Sequence, residues 1–129
     1  MSKKRILLVD DDIAATRLLK IGLEKTGQYE VKEENSATRV LSTARSFKPD
    51  LAVLDVCMPN LDGGDVAAQM KKDSMLRHTP VFFLTSIVSE DEAGAHALTS
   101  GGYQFIPKPV NLERLVQLIE DTLSPTTTS

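Results

Sequence analysis

Reactive polar side chains in this sequence stand just behind short apolar runs. Such a residue follows four of the five runs, the full set being Asp10, Asp11, Asp55, Thr85 and Lys108. A carboxylate can act as a nucleophile and form an acyl phosphate. Hydroxyl and ammonium groups are suited to binding phosphate oxygens. If the fold brings these side chains together, they predict phosphoryl transfer to a carboxylate.

The three acidic residues of this set also predict a metal ion. Asp10 and Asp55 are 45 positions apart in the sequence. Carboxylates that are crowded together repel one another and must either take up protons or hold a cation. Oxygen ligands with no histidine or cysteine partner favour Mg²⁺ over zinc or copper. We therefore predict Mg²⁺ as the cofactor, because it is commonly bound by a few carboxylates together with phosphate oxygens.

The apolar runs themselves indicate a parallel sheet. The first, third and fourth runs are continuously apolar, which is typical of strands buried on both faces. The second run, residues 29–34, is polar, and the fifth ends at Pro107, which cannot donate to a strand ladder, so both suit sheet edges. Five alternating strand and helix patterns predict a three-layer α/β/α sandwich. We expect a doubly wound sheet of order 2-1-3-4-5, which is a flavodoxin-like fold.

In such a sheet, ligands bind outside the carboxyl ends of the strands, where the winding direction reverses. This point lies between strands one and three and predicts that the five reactive residues share one rim. Helical spacing of apolar residues marks the connecting segments, with Asp12, Ser36 and Asn111 as expected N-caps. The segment 90–100 carries Gly94, so we expect a mobile helix there.

Composition narrows the class of protein. The 129 residues fit one domain, of which we assign residues 1–123 to the fold and residues 124–129 to a flexible tail or linker start. The net charge of −3, without a Lys/Arg cluster, argues against direct binding of nucleic acid or of a membrane surface. Cys57 is the single cysteine, and no apolar run approaches the roughly 20 residues of a membrane span. A cytoplasmic location is expected.

Each reactive residue also has an ordinary structural explanation. The acidic cluster could cap a helix, Asp55 could begin a turn, Thr85 could be a cap and Lys108 could be solvated. Their joint position on one rim favours a functional site. His78 and His96 have no ligand-spaced partner and are expected at the surface.

Four segments resemble the signature segments of the response-regulator receiver family: ILLVDDD, LAVLDVCMPNLDG, FFLTS and FIPKP. The resemblance spans residues 4–123. Carried over by position, it implies Asp10, Asp11, Asp55 and the backbone carbonyl of Cys57 as metal contacts, Asp55 as phosphoacceptor, Thr85 and Lys108 as phosphoryl-binding groups, and Thr85 and Phe105 as switch residues.

The resemblance also implies partners. A sensor histidine kinase or a histidine phosphotransfer protein would donate the phosphoryl group. Phosphorylation would then remodel the surface built from the fourth helix, the fifth strand and the fifth helix. That surface would serve a downstream effector domain or protein, or a phosphorylation-dependent homodimer. The chain would be a phosphoacceptor switch that assists its own phosphorylation and dephosphorylation, and not an enzyme.

Three other functions compete with this interpretation. An aspartyl-phosphate hydrolase of the haloacid-dehalogenase type would use Asp10 and Asp12, but Ala14 occupies its next required position. A receiver-shaped module that no longer accepts phosphate would not need the intact reactive set. A flavodoxin would need a phosphate-binding loop after the first strand, where the acidic residues would repel the cofactor phosphate.

Overall fold

The computed structural model describes residues 3–55, 63–85, 104–107 and 110–123. Their elements are β1 (Lys4–Val9), α1 (Ile13–Lys25), β2 (Tyr29–Glu34), a short 3₁₀ helix (Ala37–Arg39), α2 (Val40–Phe47), β3 (Leu51–Asp55), α3 (Gly63–Lys72), β4 (Val81–Thr85), β5 (Gln104–Pro107) and a C-terminal helix (Leu112–Leu123). The strands form one parallel sheet of order β2-β1-β3-β4-β5, which confirms the predicted topology.

The sheet is buried on both faces, and its central strands β3 and β4 are apolar up to the polar residue that ends each of them. All five residues of β3 and of β4 are buried. Successive side chains point to opposite faces, so Leu7 and Val9 enter a core closed by α2 and α3, while Ile6 and Leu8 enter one closed by α1 and the C-terminal helix. The absence of polar alternation in the sequence thus follows from helices on both faces.

The burial of residues along β2 accounts for the polar sequence of this strand. Tyr29 and Val31 are buried against α1 and the C-terminal helix, whereas Glu30 and Lys32 are exposed. Glu34 at the end of the strand is also buried, at 8% exposure. The pattern therefore does alternate at first, and the charged residues that follow are accommodated by polar partners on the flanking helices.

One of these partners is Arg17 of α1. Its guanidinium donates to both carboxylate oxygens of Glu33, at 2.9 and 3.2 Å. Hydrogen bonding to this guanidinium holds the pKa of the Glu33 carboxyl below its ordinary value of 4.5, against the opposing effect of burial. The same contact raises the pKa of Arg17. The ion pair ties α1 to the edge strand.

Glu24 of α1 covers part of the backbone of the same edge strand. The Gln28 carbonyl accepts from the Lys4 N–H of β1, and the Glu34 carbonyl accepts from the Asp10 N–H just past β1. The backbone groups of the residues between them therefore point alternately toward and away from β1. The Val31 N–H, one of those pointing away from β1, donates to a carboxylate oxygen of Glu24 at 3.2 Å. A side chain therefore occupies a position where another strand could pair.

Two of the three expected helix caps are confirmed. The Asp12 carboxylate accepts from the N–H groups of Ala14 and Ala15, and Asn111 accepts from the Arg114 N–H at 3.0 Å. Ser36 is wrong as the cap of an α-helix, because the chain first forms a 3₁₀ turn and α2 begins only at Val40.

Several expectations lie outside the described residues: the mobile helix at 90–100, the tail 124–129 and His96. The boundary at residue 123 stays a prediction. His78 is exposed, as expected. Within the described ranges, the helices are too short or too polar to cross a membrane.

Candidate functional site

The strand register brings the distant acidic residues together. Val9 pairs with Leu54 across β1 and β3, so Asp10 and Asp55, the next residue of each chain segment, meet at the carboxyl edge of the sheet. Carboxylate oxygens of Asp10, Asp11 and Asp55 all lie within 4.8 Å of one another. The structure thus places these three residues as the sequence predicted.

The burial of these carboxylates makes the cluster suited to a cation. Asp10 and Asp55 are only 2% and 5% exposed, whereas Asp11 is exposed to solvent. Charged carboxylates buried close together are unfavourable unless a cation or other polar groups compensate them. A small ion could enter from the open side at Asp11. The donor set contains only oxygen, which fits Mg²⁺.

Hydrogen bonds on the chain segment after β1 fix how Asp10 is presented. The Asp12 N–H donates to the Asp10 carboxylate at 3.0 Å, and the Asp12 side chain in turn caps α1. The Asp10 N–H donates to the carbonyl of Glu34 at 3.3 Å, which extends the ladder between β1 and β2 by one step. Asp10 is therefore continuous with both the sheet and the first turn of α1.

Asn35 also contacts this segment. Its amide nitrogen donates to the Asp10 carbonyl at 2.8 Å and to the Thr16 hydroxyl at 3.1 Å. Sequence reasoning missed both Asn35 and Thr16. The available signal was the position of Asn35, directly after the edge strand on the same rim as the acids, although nothing in the local sequence shows which backbone group an asparagine will reach.

Thr85 and Phe105 lie on the other side of Asp55. Leu84 pairs with Asp55, so Thr85, which ends β4 and is 3% exposed, stands one residue further at the same edge. Phe105 pairs with Phe83 across β4 and β5, and their ring centroids are 5.2 Å apart. Phe105 is half-buried against the core under α2 and α3.

Two other members of the predicted site, Lys108 and Cys57, lie outside the described residues. Their positions, and the roles given to every site residue, stay predictions. What the described part shows is an arrangement of three carboxylates with a threonine one strand away. Such an arrangement can bind a divalent cation and present a carboxylate nucleophile beside it.

Comparison with known families agrees with this geometry. Residues 6–120 match the response regulator receiver domain. The chain belongs to the response regulator receiver domain family. Receiver domains are parts of two-component systems, and the hydrolase and flavodoxin alternatives lose their support.

Curated relatives of this receiver domain differ in length. The polar-differentiation response regulator DivK of Brucella ovis is 29% identical over 121 residues, which are 93% of this chain and 96% of DivK. The DNA-binding dual master transcriptional regulator RpaA of Synechocystis is 30% identical over 95% of this chain but only 50% of its own length. The response regulator PleD of Caulobacter vibrioides is 36% identical over 83% of this chain and 23% of its own length.

Solved structures show the same fold. A response regulator from Desulfuromonas acetoxidans superposes with a TM-score of 0.80 at 28% identity, covering 95% of this chain and 98% of that one. The signal receiver domain of a signal transduction histidine kinase from Syntrophus aciditrophicus gives 0.79 at 28% identity, covering 98% and 94%. The receiver domain here therefore spans about half or less of some relatives and nearly all of others.

Proposed function

We propose that this receiver domain accepts a phosphoryl group on the carboxylate of Asp55 with the help of Mg²⁺. The observation that supports the proposal is the approach of the Asp10, Asp11 and Asp55 oxygens to within 4.8 Å at the carboxyl edge of the sheet. Asp10 and Asp11 would hold the cation together with Asp55 and the Cys57 carbonyl. Bound there, Mg²⁺ would offset negative charge on the acceptor and on the phosphoryl group.

The residues of the chain would supply position and charge. A carboxylate oxygen of Asp55 attacks the phosphorus of a phosphohistidine on the donor protein. The new O–P bond forms as the P–N bond breaks, and the imidazole nitrogen of the donor takes up a proton. Because Asp55 ends a fully buried strand, its backbone is fixed when the donor arrives. Lys108 would contact the transferred group as a point charge.

The switch would depend on Thr85 and Phe105. A phosphoryl group on Asp55 is a new dianion with strong acceptor oxygens, and the Thr85 hydroxyl would move toward it. That movement would free space into which the Phe105 ring turns. The change would bias two states of the surface formed by the fourth helix, the fifth strand and the fifth helix. A downstream effector, or a second copy of the chain, would bind one state.

The donor would be a sensor histidine kinase or a histidine phosphotransfer protein. The exposed face of α1 supports this, because α1 begins two residues after Asp11. Ile13, Leu18 and Ile21 of this helix are 60%, 72% and 49% exposed. Large exposed apolar side chains beside a reactive site are typical of a protein-binding surface. A cytoplasmic location fits such partners.

The direct test uses a small acyl phosphate, Mg²⁺ and intact-mass measurement. We expect the wild-type chain to gain one phosphoryl group, and to gain none when a chelator removes Mg²⁺. Asp55→Asn should abolish the gain. Asp50→Asn is the matched control, because Asp50 lies just before the other end of β3 and accepts from the Arg5 N–H at 2.8 Å. Unchanged phosphorylation of Asp55→Asn, or an equal loss in Asp50→Asn, would overturn the proposal.

A further inference from the structure

The peptide that joins the two proposed metal-binding aspartates is held by the residue that directly follows β2. The carbonyl of Asp10 belongs to the peptide unit between Asp10 and Asp11, and it accepts from the Asn35 amide at 2.8 Å. A peptide unit is planar, so fixing the direction of this carbonyl fixes the plane that connects the two aspartates. The contact crosses from the end of β2 to the end of β1.

The hydrogen-bond directions at Asn35 leave little freedom. The Thr16 hydroxyl donates its proton to the Ile13 carbonyl at 3.1 Å, so toward Asn35 it acts as an acceptor. Both amide hydrogens of Asn35 are then used, one on Asp10 and one on Thr16. Thr16 is 1% exposed, so water cannot readily replace this contact. An amide fits the position, whereas a carboxylate would direct an oxygen at the Asp10 carbonyl.

The chain corner that carries Asn35 is itself fixed. The buried carboxylate of Glu34 accepts from the Ser36 N–H at 3.0 Å and from the Thr43 hydroxyl at 2.6 Å. The Arg39 guanidinium lies 3.7 Å from the same carboxylate. Asn35 is therefore placed by contacts to α2 on one side while its amide reaches α1 on the other.

From these contacts we propose that Asn35 is a positioning residue for the cation site. It would touch neither the cation nor the phosphoryl group, but it orients the Asp10–Asp11 peptide and so determines how the two carboxylates converge. The inference rests on the proposed function, since it assumes that these carboxylates bind Mg²⁺. Groups that orient metal ligands change affinity by roughly 10-fold to 100-fold when they are removed.

The test is a Mg²⁺ titration of the full chain by isothermal calorimetry, with urea unfolding measured in parallel. We expect Asn35→Ala to weaken Mg²⁺ binding roughly 10-fold or more. Thr16→Val, which loses the acceptor, should weaken binding less, and Thr16→Ser, which keeps the hydroxyl, should bind as the wild type does. The Thr16 pair decides the matter if Asn35→Ala does not fold.

Thr26→Ala is the matched control. Thr26 lies just past the opposite end of α1, where its hydroxyl donates to the Leu23 carbonyl and accepts from the Gln28 N–H. If Asn35 had a merely structural role, Asn35→Ala would behave like Thr26→Ala. Each variant would then have a lower free energy of unfolding and an unchanged Mg²⁺ affinity.

The outcomes are distinguishable. Weaker binding by Asn35→Ala, with Thr26→Ala at the wild-type affinity, supports the inference. Equal Mg²⁺ affinity of wild type and Asn35→Ala overturns it while leaving the proposed function intact. Failure of the wild-type chain to bind Mg²⁺ at all would overturn both.

Discussion

Asp10 and Phe105, which lie on opposite sides of the acidic site, are held by different kinds of contact. On the β1 side, Asp10 is tied by hydrogen bonds to Asp12, Glu34 and Asn35. On the β5 side, Phe105 is held by ring packing against Phe83 and by the apolar core. Hydrogen bonds are directional and costly to leave unmade when buried, whereas half-buried aromatic packing tolerates a change of rotamer.

This difference suits the two sides to different roles. The β1 side keeps the carboxylates in one geometry, which a small cation with strict coordination requires. On the β5 side, the Phe105 ring can turn without breaking a side-chain hydrogen bond, because a phenyl ring carries neither a donor nor an acceptor. A switch needs both properties, because one part must bind the signal and another must have two arrangements close in free energy.

Removing a carboxylate on the β1 side should have the largest effect. We expect Asp10→Ala to lose Mg²⁺ affinity by more than the roughly 100-fold upper value for an orienting group, because it removes a ligand itself. Calorimetric titration measures the change. Asp12→Ala should retain most of the affinity despite weakening the cap of α1 by about 1 kcal/mol. Comparable losses in both variants would mean that the cluster acts only through its net charge.

Truncating Phe105 on the β5 side should lower the stability of the fold and impair the switch, but it should not change Mg²⁺ binding. A Phe→Ala change in a protein core lowers the free energy of unfolding by about 3–5 kcal/mol. Because Phe105 is only half-buried, we expect Phe105→Ala to lower it by about 1–3 kcal/mol in urea unfolding. Mg²⁺ affinity should stay at the wild-type value. Amide chemical shifts of the C-terminal helix should no longer respond to beryllofluoride, a phosphoryl mimic.

Phe47→Ala is the control for this variant, since Phe47 packs against the same core from α2. It should lose stability yet keep the beryllofluoride response. If Phe105→Ala keeps the response as well, the aromatic ring has no part in the switch.

The smallest effect should be the pH dependence of stability that comes from the ion pair between Arg17 of α1 and Glu33 of β2. The folded-state pKa of Glu33 is lowered by its hydrogen bond to Arg17, so this pair stabilises the fold above pH 4.5. That contribution is lost as pH falls through the folded pKa, which lies below 4.5. We expect Arg17→Met to be less stable than wild type at pH 7, with the difference shrinking below pH 4.5 in urea unfolding.

Arg45→Met provides a contrast for the pH experiment. The pKa of Asp73 is also lowered, but chiefly by the Met75 N–H and only then by Arg45. Most of its pH dependence should therefore survive the substitution. A stability difference between Arg17→Met and wild type that does not change with pH would show that Arg17 acts by packing its alkyl chain.

The sequence predicted the sheet and the acidic cluster because both follow from simple periodic rules. Strands β1, β3 and β4 are apolar at consecutive positions, and parallel order places the residues behind them on one edge. Asp12 and Asn111 were predictable as caps for the same reason, since cap chemistry is local.

The remaining contacts were not predictable because they depend on distant partners. Glu34 contributed to the polar appearance of the run 29–34, yet it is buried and contacts Thr43 and Arg39. Asn35 carried no expectation from the sequence, although its amide reaches Thr16 of α1. Ser36 failed as a cap because its N–H is drawn to Glu34, and the chain enters α2 through a tighter turn. Pair partners across elements leave no periodic trace in a single sequence.

The contact between Glu24 and the Val31 N–H has a consequence for how the molecule behaves in a crowded solution. An edge strand presents unpaired backbone N–H and C=O groups to any extended peptide, and pairing with such a strand is a common route to aggregation. By filling one such position with its own carboxylate, α1 makes pairing of a second molecule along β2 less favourable. Growth of ordered fibrils along β2 should therefore require that the end of α1 that carries Glu24 first detach from the strand.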